Sequence, residues 1–170
     1  MAKKVILGCA LIIAMALLQS TILSRLVMYI RAVPDLALCV LVYSSYVNGV
    51  MAGQLSGFFS GFLLDFLSAS PLGLNSLVRT LTGAFLGFFK DTFYLDLFFL
   101  PAILCSVATI FKALVFFLLH LLFPMTVPAY TLFTSTFWIE LGMNTLLAPF
   151  LFGLLRMIKP LHSGAKENAQ

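Results

Sequence analysis

The chain has 170 residues, of which 62% are apolar and only 9% charged, far below the roughly 25% charged content of an ordinary soluble domain. That balance excludes a water-soluble globular domain and points to an all-α integral membrane protein. The net charge of +4 reads as a topological bias of Lys and Arg, with some attraction to anionic lipid, and gives no reason to invoke nucleic acid.

Six apolar runs are candidates for transmembrane helices, near 5–23, 35–47, 49–67, 72–89, 97–123 and 130–157. They are continuous rather than alternating, which disfavours a transmembrane barrel. The first follows "MAKK" and continues through "LLQSTIL", so it is expected to be a retained anchor rather than a cleaved signal. The second, "PDLALCVLVYSSYV", opens at Pro34-Asp35 and is short for a crossing of ~20 residues.

In the third run glycine recurs every four residues, at Gly49, Gly53, Gly57 and Gly61, and one further step reaches Asp65. A four-residue repeat forms one ridge on a helix, and glycine on that ridge lets another backbone approach closely. Each glycine costs roughly 1 kcal/mol against alanine in a helix interior, so the row calls for tight helix packing in compensation. Whether the partner is the chain's own helix or another protein's stays open at this stage.

The turn "SASPLGL", with Pro71 and Gly73, leads to a fourth run in which Arg79, Gly83 and Gly87 repeat the same spacing. The simplest account of Asp65 and Arg79 is an ion pair across this hairpin, with the arginine side chain snorkelling outward. The fifth and sixth runs carry Lys112 and Glu140, both ~14 to 17 Å from the outer helix ends at 1.5 Å per residue. Unpaired charges at that depth cost ~2.5 to 3.5 kcal/mol on insertion scales, so these two are expected to pair. The closing segment, 159–170, reads as a cytoplasmic tail.

The side holding both termini of a six-helix chain carries Lys3, Lys4, Lys90, Arg156, Lys159 and Lys166, against Arg25 and Arg31 on the other. Both termini are therefore expected in the cytoplasm. Cys9, Cys39 and Cys105 fall inside apolar runs without CxxC spacing and read as small packing residues. No HExxH, P-loop or GxSxG motif occurs. Ser60 between glycines is normal small-residue interface composition. No catalytic residue, metal site or cofactor is expected.

The stretch from Leu17 to Phe89 carries a resemblance. Pro34-Asp35 opening a helix, the glycine-spaced run through Gly57 and Gly61 to Asp65, the Pro71-Leu72-Gly73 turn, and Gly83 with Gly87 together resemble the central region of the rod shape-determining MreD family. The resemblance implies a non-catalytic inner-membrane subunit of the bacterial cell-elongation machinery. It also implies association with the bitopic protein MreC, and through it with MreB filaments, RodA and a class B penicillin-binding protein. Its fold would be similar to the substrate-binding subunits of energy-coupling-factor vitamin transporters, which makes such a transporter subunit the alternative. As a scaffold, the glycine faces would dock partner helices, with Asp65, Pro71 and Gly73 shaping an outer corner.

Overall fold

A computed structural model of the chain describes residues 2–19, 21, 33–68, 71–90, 92, 99–125, 127 and 134–157. Arg25, Arg31 and the 159–170 tail lie outside the described residues. Six helices account for most of what is described: α1 (Ala2–Leu18), α2 (Leu36–Asn48), α3 (Val50–Leu67), α4 (Leu74–Gly87), α5 (Phe99–Leu122) and α6 (Ser135–Arg156).

The start of α2 is set by local chemistry. Pro34 precedes it, and the Asp35 carboxylate accepts a hydrogen bond from the Leu38 amide at 2.9 Å, satisfying one of the amides that a helix start leaves without a partner. Its end is set by Gly49, whose φ of 90° lies where side-chain-bearing residues rarely go. The Gly49 amide still bonds to Ser45 O at 2.8 Å, while its carbonyl already accepts from Gly53 N at 3.0 Å. One residue thus ends α2 and begins α3.

At the other end of α3, Ser68 donates to Leu64 O through both its amide, at 2.8 Å, and its hydroxyl, at 2.6 Å. Gly73, with φ 94°, turns the chain into α4. Inside α6, Pro149 removes one intrahelical bond, and the neighbouring turn is tied to α5 by a 2.7 Å hydrogen bond between the Thr145 and Ser106 hydroxyls.

Helix α2 is the axis of the molecule. Every residue from Ala37 to Tyr46 is buried, and α2 contacts each of the other five helices. Its Leu41 and Tyr43 share the main apolar core with Ile12, Leu86, Ala108 and Phe152 of the surrounding helices. A second cluster of Leu74, Val78, Val115, Phe116 and Val127 lies toward the opposite end of α4 and α5.

Among the described residues three helices, α3, α5 and α6, are long and apolar enough to cross a bilayer. The 13 residues of α2 rise only about 20 Å, against a hydrocarbon core of ~30 Å. Large apolar side chains cover the outside, among them Phe62 and Phe66 on α3, Leu118 on α5 and Leu146 on α6. This inverted distribution is the one that lipid, rather than water, demands.

Candidate functional site

The shortness of α2 places its first turn, with Asp35, among side chains well inside the longer helices. Asp35 there meets two cations. Its Oδ1 accepts from Arg79 Nη2 of α4 at 2.7 Å, and its Oδ2 accepts from Lys112 Nζ of α5 at 2.9 Å. Lys112 Nζ also donates to Glu140 Oε1 of α6 at 2.7 Å. Two carboxylates and two cations form one chain, Arg79 to Asp35 to Lys112 to Glu140, with formal charges that cancel. Asp35, Arg79 and Glu140 are buried, so each depends on its partners in place of water.

Neutral groups extend this cluster. The Asp35 amide donates to Asn144 Oδ1 at 2.8 Å, and Asn144 Nδ2 donates to Thr109 Oγ1 at 3.1 Å. Asn144 lies one turn beyond Glu140 on the same face of α6, and Thr109 about one turn before Lys112 on α5. Helices α4, α5 and α6 and the start of the buried α2 are therefore fixed by directional bonds, in an environment where no apolar driving force separates one packing from another.

The expected pair between Asp65 and Arg79 does not form. Arg79 turns inward to Asp35, because α2 begins at the depth that its side chain reaches from α4. Asp65, buried near the end of α3, caps α4 instead. Its Oδ2 accepts from the Gly73 amide at 2.9 Å and the Ser76 amide at 3.3 Å. Its Oδ1 accepts from the Asn75 amide at 2.9 Å and from Asn75 Nδ2 at 3.0 Å. The amides at a helix start attract negative charge, and they lie closer to Asp65 than the arginine does. Pro71 takes part through its carbonyl, which accepts from the Leu74 amide at 3.1 Å.

The two glycine rows face each other. A methyl group on Gly57 would lie 2.7 Å from the carbonyl carbon of Arg79, and one on Gly61 would lie 2.6 Å from that of Asn75. On α4, Gly83 stands against Gly53, and Gly87 against Val50. These glycines therefore close α3 onto the chain's own α4 and are not free faces for partner helices, which corrects that expectation. Gly49 lies beside the Lys90 side chain. Gly57 has a second effect, because the close approach it permits seats the Arg79 backbone where its guanidinium reaches Asp35.

Other singled-out residues have plain structural partners. Ser60 donates to Gly57 O at 3.1 Å, and His120 Nδ1 bonds to Val127 O at 2.7 Å. Cys39 and Cys105 are buried free thiols, and Cys9 is half-buried. Residues missed from sequence are Asn144 and Thr109, together with the bridging role of Asp35. The available signal was the placement of Asn144 four residues after Glu140, on one helical face.

The pattern of a helix opened by Pro34-Asp35, an Asp65 cap and paired glycine rows coincides with a family match. The family model for the rod shape-determining protein MreD matches residues 2–158. The chain belongs to the MreD family. No curated protein matches it, and no solved structure does. As a member of the MreD family it is a membrane protein of a shape-determining structural family, tied to rod shape determination with partners of the MreC and MreB type.

Proposed function

We propose that the chain is a non-catalytic scaffold subunit of the bacterial cell-elongation machinery, holding an MreC-like bitopic protein next to RodA and a class B penicillin-binding protein. MreB filaments would be engaged indirectly. The observation that carries this reading is that the charged groups of the bundle are held by one another, with Arg79 Nη1 left as a buried nitrogen without a hydrogen-bond partner. Asp35, Arg79, Lys112, Glu140 and Asn144 bond to one another, and Asp65 bonds to α4. Side chains of this kind would hold a ligand in a transporter subunit; here they lock helices together, as a rigid mounting requires.

Family membership supports the rod-shape role. The reading adds six spans in the inner membrane with both termini in the cytoplasm, favoured by the distribution of Lys and Arg. Gentle detergent extraction of the tagged protein from its native membrane, followed by identification of what accompanies it, tests the proposal. Recovery of a single-span periplasmic partner with cell-wall synthases supports the scaffold. Recovery of paired ATPases with a coupling subunit would replace it by the energy-coupling-factor reading.

A further inference from the structure

We infer that the bundle is built of two lobes, α1 to α4 and the α5–α6 hairpin, which shift against each other as units with Asp35 as the latch between them. This goes beyond the scaffold reading and is tested on the isolated chain, so either can fail without the other.

Each lobe is tied internally by its own device. In the first, glycine brings helices into close contact: Gly8 of α1 meets Ser44 of α2, Gly53 meets Gly83, and Gly57 meets the Arg79 backbone. In the second, three polar rungs join α5 to α6. Ser106 bonds to Thr145 at 2.7 Å, Asn144 to Thr109 at 3.1 Å and Lys112 to Glu140 at 2.7 Å. Between the lobes no described glycine brings two backbones together, and Gly142 and Gly153 of α6 have nothing within 4 Å of an added methyl. Side chains make that contact instead, with Phe85 stacked on Phe111 at 4.4 Å, Tyr43 edge-on to Phe152 at 5.1 Å and Cys39 beside Cys105.

Two polar bonds join the lobes, and both end on Asp35: its Oδ2 accepts from Lys112 at 2.9 Å, and its amide donates to Asn144 at 2.8 Å. The charges of the network are divided so that each lobe is neutral by itself. When the lobes part, Asp35 keeps Arg79, Lys112 keeps Glu140 and Asn144 keeps Thr109. No buried charge is stranded, which is the event that makes a buried ion pair costly to break. The parted apolar faces meet lipid tails, which are as apolar as the side chains they replace. The closed latch is the ground state and keeps the mounting rigid, and the parted arrangement is a minor state of roughly 0.1–10% population.

The test measures distances between paired spin labels on the full chain in lipid vesicles, with Cys9, Cys39 and Cys105 replaced by alanine. All label positions are exposed. Met51→Cys with Leu77→Cys reports within the first lobe, Leu118→Cys with Phe150→Cys within the second, and Met51→Cys with Phe150→Cys across them. Lys112→Met with Glu140→Leu removes the charged bond to Asp35 and leaves Asp35 paired with Arg79. It should raise the population of a second cross-lobe distance about tenfold or more, with both within-lobe distances unchanged. Asn144→Ala removes the other bond without touching a charge and should raise the same population about threefold; it decides the matter if the double variant does not fold. A cross-lobe distance that stays as in the parent in a folded variant would overturn the inference. So would broadening of all three distances alike, because the helices would then loosen singly and not as lobes.

Discussion

Arg79 and Asp35, 44 positions apart in sequence, meet at 2.7 Å in a buried ion pair, although Asp65 lies far nearer to Arg79 along the chain. A hairpin suggests its own charges as partners, but depth and direction decide which ones meet. The Asp65 carboxylate is held by the first amides of α4, whereas the arginine points to the helix that starts inside the bundle.

That choice is measurable. Arg79→Ala leaves Asp35 with one cation fewer and should destabilise the folded protein by ~3–5 kcal/mol, read by detergent unfolding and by accumulation in membranes. A double-mutant cycle of Asp35→Asn with Arg79→Ala should show coupling of about 1 kcal/mol or more. The cycle of Asp65→Ala with Arg79→Ala should be additive within roughly 0.5 kcal/mol. Coupling in the second cycle and none in the first would reverse the assignment.

The Lys112 and Glu140 pair should show the asymmetry of a buried ion pair. Lys112→Met leaves both Glu140 and Asp35 short of a donor and should cost ~3–5 kcal/mol. Adding Glu140→Leu removes one of the stranded carboxylates and should recover part of that loss, since Asp35 keeps Arg79. Unfolding titrations of the two variants check this. A double variant less stable than Lys112→Met would mean that Glu140 acts chiefly through other contacts.

How far the sequence discloses this arrangement depends on which physical quantity a residue's role rests on. Counting rises along two long helices places Lys112 and Glu140 at a common depth, so their proximity is readable from spacing alone. The glycine rows are readable too, because a four-residue repeat has a geometric meaning before any partner is known. That the partner of α3 is α4 is not, since glycine has no side chain to name its neighbour. Asp35 is the instructive case. As the residue after Pro34 it reads as a helix opener, which it is, yet its bridging role follows from the depth at which α2 begins. The signal was the shortness of α2, because a 13-residue helix in a chain with intramembrane charges can begin below the membrane surface.

Bulk on the glycine interface should separate glycines that touch backbone from those that face open space. Gly57→Ala and Gly61→Ala place a methyl group 2.6–2.7 Å from backbone carbonyl carbons of α4, so the helices must part. A loss of ~1–3 kcal/mol is expected, and more for leucine. Gly142, in α6, has nothing within 4 Å of such a methyl. Gly142→Ala should therefore be neutral or gain up to about 1 kcal/mol from helix propensity. Similar behaviour of all three in thermal unfolding would show that the α3–α4 contact is looser than described.

The corner between α3 and α4 separates electrostatic from conformational contributions. Asp65→Ala removes four acceptor contacts from the start of α4 and should cost about 2 kcal/mol or more, toward the upper end of helix-cap deletions because the carboxylate is buried. Asp65→Asn keeps one acceptor oxygen and should retain part of the stability. Gly73→Ala has ample room, but it asks alanine to adopt a φ of 94°, at roughly 1–2 kcal/mol. The variants should differ in where the structure loosens. Hydrogen exchange should rise first at the amides of Asn75 and Ser76 in Asp65→Ala, which lose their acceptor, whereas Gly73→Ala should leave those two protected as long as the turn still forms. Fast exchange confined to Asn75 and Ser76 in Gly73→Ala, with none in Asp65→Ala, would mean that the turn rather than the carboxylate holds the start of α4.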